Sequence, residues 1–207
     1  RKTMKYQDLV IKDGNFVGEF EEMYKTFENP WNQEDELYSS NVSRRAACHF
    51  IEKYQIKSIV EWGCGLGKTS NYIKKHVKQD INITGIDVSQ TAITKAKNKY
   101  QDIDFIVDDI SNISNHLNYD CIFLSEITWY LLEDNLLDNV FKTLLKNSNK
   151  DTYLFHQLSF YKKGVQKYGT DYFSNIDEFI DFCPFDLVAK VVCELEDGID
   201  TLTVFRI

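Results

Sequence analysis

One segment limits the fold of this chain more than any other: Ile59-Val60-Glu61-Trp62-Gly63-Cys64-Gly65-Leu66-Gly67-Lys68-Thr69. An apolar run ends in three glycines at alternate positions and passes straight into a stretch of helical periodicity, 68–77. Glycines after a buried strand let the backbone turn with positive φ and approach a ligand, and the following helix offers unpaired N–H groups. Spacing separates the known loops of this plan. A phosphate-cradling GxxxxGK[ST] loop needs glycine at 62, where Trp62 stands. A dinucleotide GxGxxG loop needs glycine at 68, where Lys68 stands. What remains is Glu-x-Gly-x-Gly-x-Gly, with the carboxylate of Glu61 near the end of the strand.

Around this loop the chain alternates strands and amphipathic helices. Strands are predicted at 58–62, 82–87, 104–107, 120–125 and 152–156, with helices at 68–77, 90–99 and 135–146 between them, the pattern of a parallel α/β sheet. The tail differs: 186–194, then Asp197-Gly198, then 201–207 predicts an antiparallel hairpin. The expected architecture is therefore an open, Rossmann-like, mostly parallel sheet with an antiparallel C-terminal strand and helices on both faces. Before it, 1–55 reads as an N-terminal helical cap, with Phe16, Phe20, Tyr24, Phe27 and Trp31 at mixed helical spacing and a helix at 41–54; 56–207 is the core of one domain overall. The 207 residues, 43% hydrophobic and 27% charged, suffice for one such core.

The chain carries 24 Lys and Arg against 32 Asp and Glu, net −8. Such a balance argues against affinity built on neutralising phosphates, hence against a nucleic-acid partner. Five cysteines, Cys48, Cys64, Cys121, Cys183 and Cys193, form no CxxC pair and no metal spacing, so no metal is expected and a reducing cytoplasm is the natural home. No apolar run approaches 18 residues and no leader pattern is visible, so neither a membrane span nor export is expected. Oligomeric state is not legible.

Strand-end acids recur downstream: Gly85-Ile86-Asp87-Val88-Ser89, Phe105-Ile106-Val107-Asp108-Asp109-Ile110 and Cys121-Ile122-Phe123-Leu124-Ser125-Glu126. With the glycine loop, this series resembles the class I S-adenosylmethionine (SAM) methyltransferases. The resemblance implies that Glu61, Gly63, Cys64, Gly65 and Gly67 form the cofactor loop. It implies that Asp87, beside Val88, accepts the ribose hydroxyls, that Asp109, beside Ile110, caps the adenine amino group, and that Ser125 borders the transferred methyl. Glu28-Asn29-Pro30-Trp31 and Ser125-Glu126-Ile127-Thr128-Trp129-Tyr130-Leu131 are similar to the small bacterial NodS-like group, although the usual Asp-Pro-Trp is Asn-Pro-Trp here. That likeness implies a small, often sugar-based acceptor: a sugar-, nucleotide- or polysaccharide-precursor metabolite, as in capsule or surface polysaccharide biosynthesis. Each strand-end acid also has a plainer use as a helix N-cap, Asp108 above all.

Transfer from a sulfonium to an oxygen or nitrogen needs an aligned acceptor, and a base only if that acceptor arrives protonated. Glu126 and His156 are the candidate bases. The alternatives are that Glu126 caps a helix and that His156 is a hydrogen-bonded structural histidine. Trp31 and Arg44 are candidates to close over the cofactor, the guanidinium meeting its carboxylate, with Arg45 an equal candidate. Trp129, Tyr130 and Tyr161, with Tyr153 and Phe160, are candidates to line the acceptor pocket, and Lys162-Lys163 to assist a nucleotide-linked acceptor. His49 reads as packing, His76 and His116 as surface. Nucleic-acid, protein-arginine and metal-assisted catechol methylation fit less well: Ser125-Glu126-Ile127-Thr128 is no base-modifying motif, Glu126 lacks a partner glutamate, and Phe155-His156-Gln157-Leu158 supplies no acid cluster. Outside the transferases, a SAM-binding protein without turnover and, against Lys68, a nicotinamide-dependent reductase remain.

Overall fold

The computed structural model describes residues 4–31, 41–149, 151–161, 168–196 and 198–207. Its centre is a seven-stranded sheet of order β5-β4-β3-β6-β7-β9-β8. The strands are β3 (Ser58–Trp62), β4 (Asn82–Asp87), β5 (Asp104–Val107), β6 (Cys121–Ser125), β7 (Tyr153–Tyr161), β8 (Asp186–Glu194) and β9 (Gly198–Arg206). β3 to β7 are mutually parallel, and β9 runs antiparallel to both β7 and β8. The reversed strand is thus slotted between β7 and β8 instead of lying at the sheet's edge.

Alternation along β3 assigns the two faces. Ile59 points to a core closed by α2 (Val42–Lys53), α3 (Lys68–His76) and α4 (Gln90–Lys99), through Ala47, Ile51, Ile73, Ile93 and Ala96. Val60 and Trp62 point to the opposite core, closed by α5 (Leu136–Asn147) and α6 (Ile176–Phe182), through Leu137, Phe141, Leu144 and Phe179. Each fully buried aliphatic or aromatic side chain here contributes about 1.5–3 kcal/mol. Helices on both faces leave the carboxyl ends of the parallel strands as the open rim, where ligands bind in such sheets.

Among its described residues the N-terminal segment mixes short strands with helix. It holds a 3-10 turn at Tyr6–Leu9, a hairpin of two short strands, β1 (Ile11–Lys12) and β2 (Asn15–Phe16), and one short helix, α1 (Phe20–Thr26). Asp13 and Gly14 both have positive φ, 52° and 82°, the requirement of the tightest hairpin turn. Leu9, Val10, Met23 and Tyr24 bury themselves against Ala92 of α4, which fixes this segment over the rim. Asn41 caps α2 by accepting the Arg44 N–H, and α2 packs on the sheet as a core helix.

Two other expectations shift. β7 runs nine residues, well past position 156, and α6 was not foreseen. Asp197 of the expected turn lies outside the described residues; Leu195 N–H bonds Gly198 O at 2.8 Å beside it. Among the described residues no helix is long and apolar enough to cross a membrane.

Candidate functional site

A cavity of about 900 Å³ opens over the carboxyl ends of β3, β4, β5, β6 and β7. Its floor comes from the strand-end loops: Gly63, Cys64 and Gly65; Asp87 and Val88; Asp108, Asp109 and Ile110; Ser125 to Leu131; Ser159 and Tyr161. Its roof comes from the N-terminal segment, with Tyr6, Phe16, Phe20, Tyr24 and Trp31, and Arg44 enters from α2.

The glycine loop is built for close approach. Gly65 has φ +51°, and a Cβ there would lie 2.5 Å from the Tyr24 hydroxyl. Gly63 has φ +71°, and a Cβ would meet Ile127 Cγ2 at 2.1 Å. The Gly65 N–H donates to Asp87 Oδ2 at 2.8 Å, and the Ser89 N–H donates to Oδ1 at 2.9 Å. Burial raises the Asp87 pKa against these two bonds. Each oxygen keeps lone-pair capacity for one more donor, so the pair suits vicinal hydroxyls. Gly67, expected in the same loop, does not line the cavity. Its positive φ starts α3, and a Cβ there would lie 2.6 Å from the Phe105 ring.

Glu61 is buried one residue before the end of β3 and accepts the Ser70 hydroxyl of α3. Burial pushes its pKa up to about 7, opposed by that hydrogen bond and by Arg44. Arg44 is buried, lines the cavity and acts on both Glu61 and Glu126, whereas Arg45 is exposed and outside the lining. The structure therefore brings Arg44, not Arg45, to the site.

Glu126 occupies a left-handed backbone position, φ 59°, which costs a non-glycine residue about 1–3 kcal/mol. Ser159 holds its carboxylate from β7, donating its N–H at 3.0 Å and its hydroxyl at 2.6 Å. Burial raises the Glu126 pKa over these opposing bonds. The expected helix-cap alternative is not what the geometry shows, because both carboxylate oxygens go to Ser159 across the sheet.

His156 is a correction. It is fully buried in mid-strand, stacks on Phe179 at 3.8 Å, and its Nε2 meets the Thr128 hydroxyl at 2.7 Å. Burial pushes its pKa down to about 3, so it stays neutral. It does not line the cavity. The reason is register: β7 continues to Tyr161, so Ser159 and Tyr161 reach the rim, while His156, Leu158 and Phe160 face the α6 core.

Asp109 is exposed on the rim and accepts the Ser111 N–H at 2.8 Å, so it caps a short turn as well as lining the cavity. Asp108 accepts Asn112 at 2.8 Å and meets His116 Nε2 at 2.9 Å, which makes His116 a partner in the loop and not a surface group. Val88 and Ile110 line the cavity, and Ser125 lines it while donating to Gln157 Oε1 at 3.1 Å. Of the aromatic candidates, Tyr130 and Tyr161 line it; Trp129 does so from a largely buried position, its Nε1 bonded to Ser159 O at 3.2 Å. Tyr153 and Phe160 lie in the cores, and Lys162 and Lys163 fall outside the described residues.

Tyr24, Tyr6, Phe16, Phe20 and Ser159 were missed as site residues. The aromatic spacing from Phe16 to Trp31 carried the signal for the roof; Trp31 Nε1 bonds the Tyr24 hydroxyl at 3.1 Å, and Tyr130 lies 5.2 Å from Phe20. Among the described residues no group of three or more His, Cys, Asp or Glu could hold a metal ion.

Residues 59–149 match the family described as methyltransferase domain. The candidate methyltransferase 235L of Invertebrate iridescent virus 6 is 35% identical over 95 residues, 44% of this chain and 36% of that protein. The chain thus spans about a third of that curated relative. Among solved structures, N-methyltransferase NodS from Bradyrhizobium japonicum WM9 in complex with S-adenosyl-L-homocysteine (SAH) superposes with a TM-score of 0.64 at 18% identity, covering 90% of this chain and 97% of that one. A SAM-dependent methyltransferase from Clostridium acetobutylicum ATCC 824 gives 0.63 at 13% identity, covering 89% and 98%. The chain has the class I SAM methyltransferase fold and resembles that family, NodS-like members included.

Proposed function

We propose that this chain is a SAM-dependent methyltransferase that moves a methyl group to an oxygen or nitrogen of a small polar acceptor. One observation carries the reading: Gly65, free of any Cβ, and the buried Asp87 carboxylate it bonds face one cavity at the carboxyl ends of the central strands. Bound there, SAM would supply an electrophilic methyl on a sulfonium.

In this reading the ribose hydroxyls donate to Asp87, the adenine edge reaches Asp109 and Ile110, and Gly63, Cys64 and Gly65 lie along the methionine portion. Arg44, the buried cation of the lining, takes the carboxylate. The acceptor lies between Glu126 and the rings of Tyr130 and Tyr161, under the N-terminal segment. Alignment supplies much of the rate, since a positioned acceptor avoids the entropy of encounter. Glu126, with its raised pKa and fixed orientation, takes the acceptor's proton. His156 has no part in the chemistry.

A sugar-linked or other hydroxyl- or amine-bearing acceptor fits this lining. A nucleotide-linked one finds no lysine among the described lining residues.

Calorimetric titration of the full chain with SAM, SAH and NAD tests the cofactor reading: the first two bind, NAD does not, and Asp87→Ala abolishes the heat. Conversion of SAM to SAH with a matched mass gain on an acceptor then establishes turnover. Binding of SAM without conversion across hydroxyl- and amine-bearing acceptors would instead mark a non-catalytic SAM-binding protein.

A further inference from the structure

Ser89 joins the two halves of the cavity. Its N–H donates to Asp87 Oδ1 at 2.9 Å, and its hydroxyl, while accepting the Ala92 N–H at 3.1 Å as the cap of α4, donates to Glu21 Oε2 at 2.6 Å. Glu21 belongs to α1 of the roof. Its carboxylate also accepts the Thr91 N–H at 3.1 Å and the Thr91 hydroxyl at 2.7 Å. A negative charge from the roof therefore occupies the positive end of α4, the favourable polarity for that position.

The bond is reciprocated one turn along. Lys95 of α4 donates to Tyr24 O at 2.9 Å and Phe27 O at 3.4 Å, at the carbonyl end of α1, and pairs with Glu28 at 3.2 Å. The two helices are thus joined at both ends of α1. Three residues after Glu21, on the same face of α1, Tyr24 places its hydroxyl 2.5 Å from where a Cβ of Gly65 would be. The hydroxyls of Ser89 and Thr91 hold the Glu21 pKa down to about 2, so the carboxylate is ionised across the ordinary range of pH.

We infer that Glu21 is a positioning residue for cofactor binding: by pinning α1 to the start of α4 it sets Tyr24 against Gly65 and, through Ser89, orients Asp87. This inference rests on the cofactor reading above. Its consequence is that docking of the N-terminal segment and grip on the adenosine end are one event. A ligand that needs Asp87 in place then favours the docked roof, and a loosened roof weakens that ligand by the same factor.

The test uses the full chain and SAH as probe. Glu21→Gln should weaken SAH binding about tenfold, the mark of about 1.4 kcal/mol of lost coupling, and speed amide exchange in Phe20–Thr26, with saturating SAH restoring protection. Glu21→Asp should recover part of the affinity. Glu22→Gln, on the same helix, where the carboxylate accepts only the Thr26 hydroxyl among the described residues, should change neither readout. If Glu21→Gln does not fold, Thr91→Val removes one donor to the same carboxylate and should move both readouts less, in the same direction. Faster exchange in α1 with unchanged SAH affinity would show Glu21 to be merely structural and overturn the inference, as would no change in either readout. Absence of SAH binding by the unaltered chain would instead defeat the cofactor reading, and this inference with it.

Discussion

Glu126 and Ser159 face each other across adjacent strands, and the serine commits both its N–H, at 3.0 Å, and its hydroxyl, at 2.6 Å, to the one carboxylate. This pairing aims a strained, half-buried glutamate into the cavity instead of leaving it to cap the following turn. Ser159→Ala removes one hydrogen bond to a charged group, about 1.5–3 kcal/mol. Methyl transfer should fall roughly tenfold to hundredfold, while SAH affinity by calorimetry stays within about twofold. Glu126→Gln should cost roughly 10² or more if the proton passes to this group, with SAH binding again intact. Equal rates in the glutamine variant would assign the step to alignment alone.

The Gly65→Ala substitution puts a methyl at a left-handed φ against the Tyr24 hydroxyl. Strain of about 1–3 kcal/mol and displacement of the roof act together, so SAH affinity should drop at least tenfold while the fold persists by circular dichroism. Gly67→Ala should act differently: it crowds Phe105 inside the core, lowering the melting temperature more than it lowers intrinsic affinity.

His156 and Glu61 give opposite pH signatures. The histidine's folded pKa, about 3, lies below its ordinary value near 6.5, so the unfolded chain binds more protons between the two. Stability should therefore fall as pH drops from about 6.5 toward 3. His156→Asn should flatten that slope without weakening SAH binding at neutral pH.

Glu61 has a folded pKa of about 7, above its ordinary 4.5, so the folded chain binds more protons in that interval. Its contribution to stability declines as pH rises from about 4.5 to 7 and is level above. Melting curves across pH for Glu61→Gln should lack this decline; an unchanged profile would contradict the burial of an ionisable carboxylate on β3.

Much of this was legible from the chain. β3 and β6 announce themselves because strands buried on both faces read as near-continuous apolar runs, and β3, β4 and β6 each carry an acid at or beside the carboxyl end. The hairpin of β1 and β2 escaped because two-residue strands carry no period, although Asp13-Gly14 was the turn signal that would have found it. α6 escaped too, despite Asn175 and Glu178 forming its N-terminal signature. The length of β7 was hidden by polarity: Gln157 and Ser159 are strand residues whose partners, Ser125 and Glu126, belong to another strand and its loop. That hidden length is why His156 was mistaken for a rim residue and Ser159 was overlooked. The roof was visible only as an aromatic spacing, since which aromatics meet the glycine loop depends on how Glu21 and Lys95 dock α1.

The most direct measurement of the central claim is a crystal structure of the full chain grown with SAH. The account predicts ligand density with both ribose hydroxyls within hydrogen-bonding distance of Asp87 and the ligand backbone lying against Gly63 to Gly65. Density for SAH elsewhere, or a cavity that stays empty at saturating SAH, would contradict it.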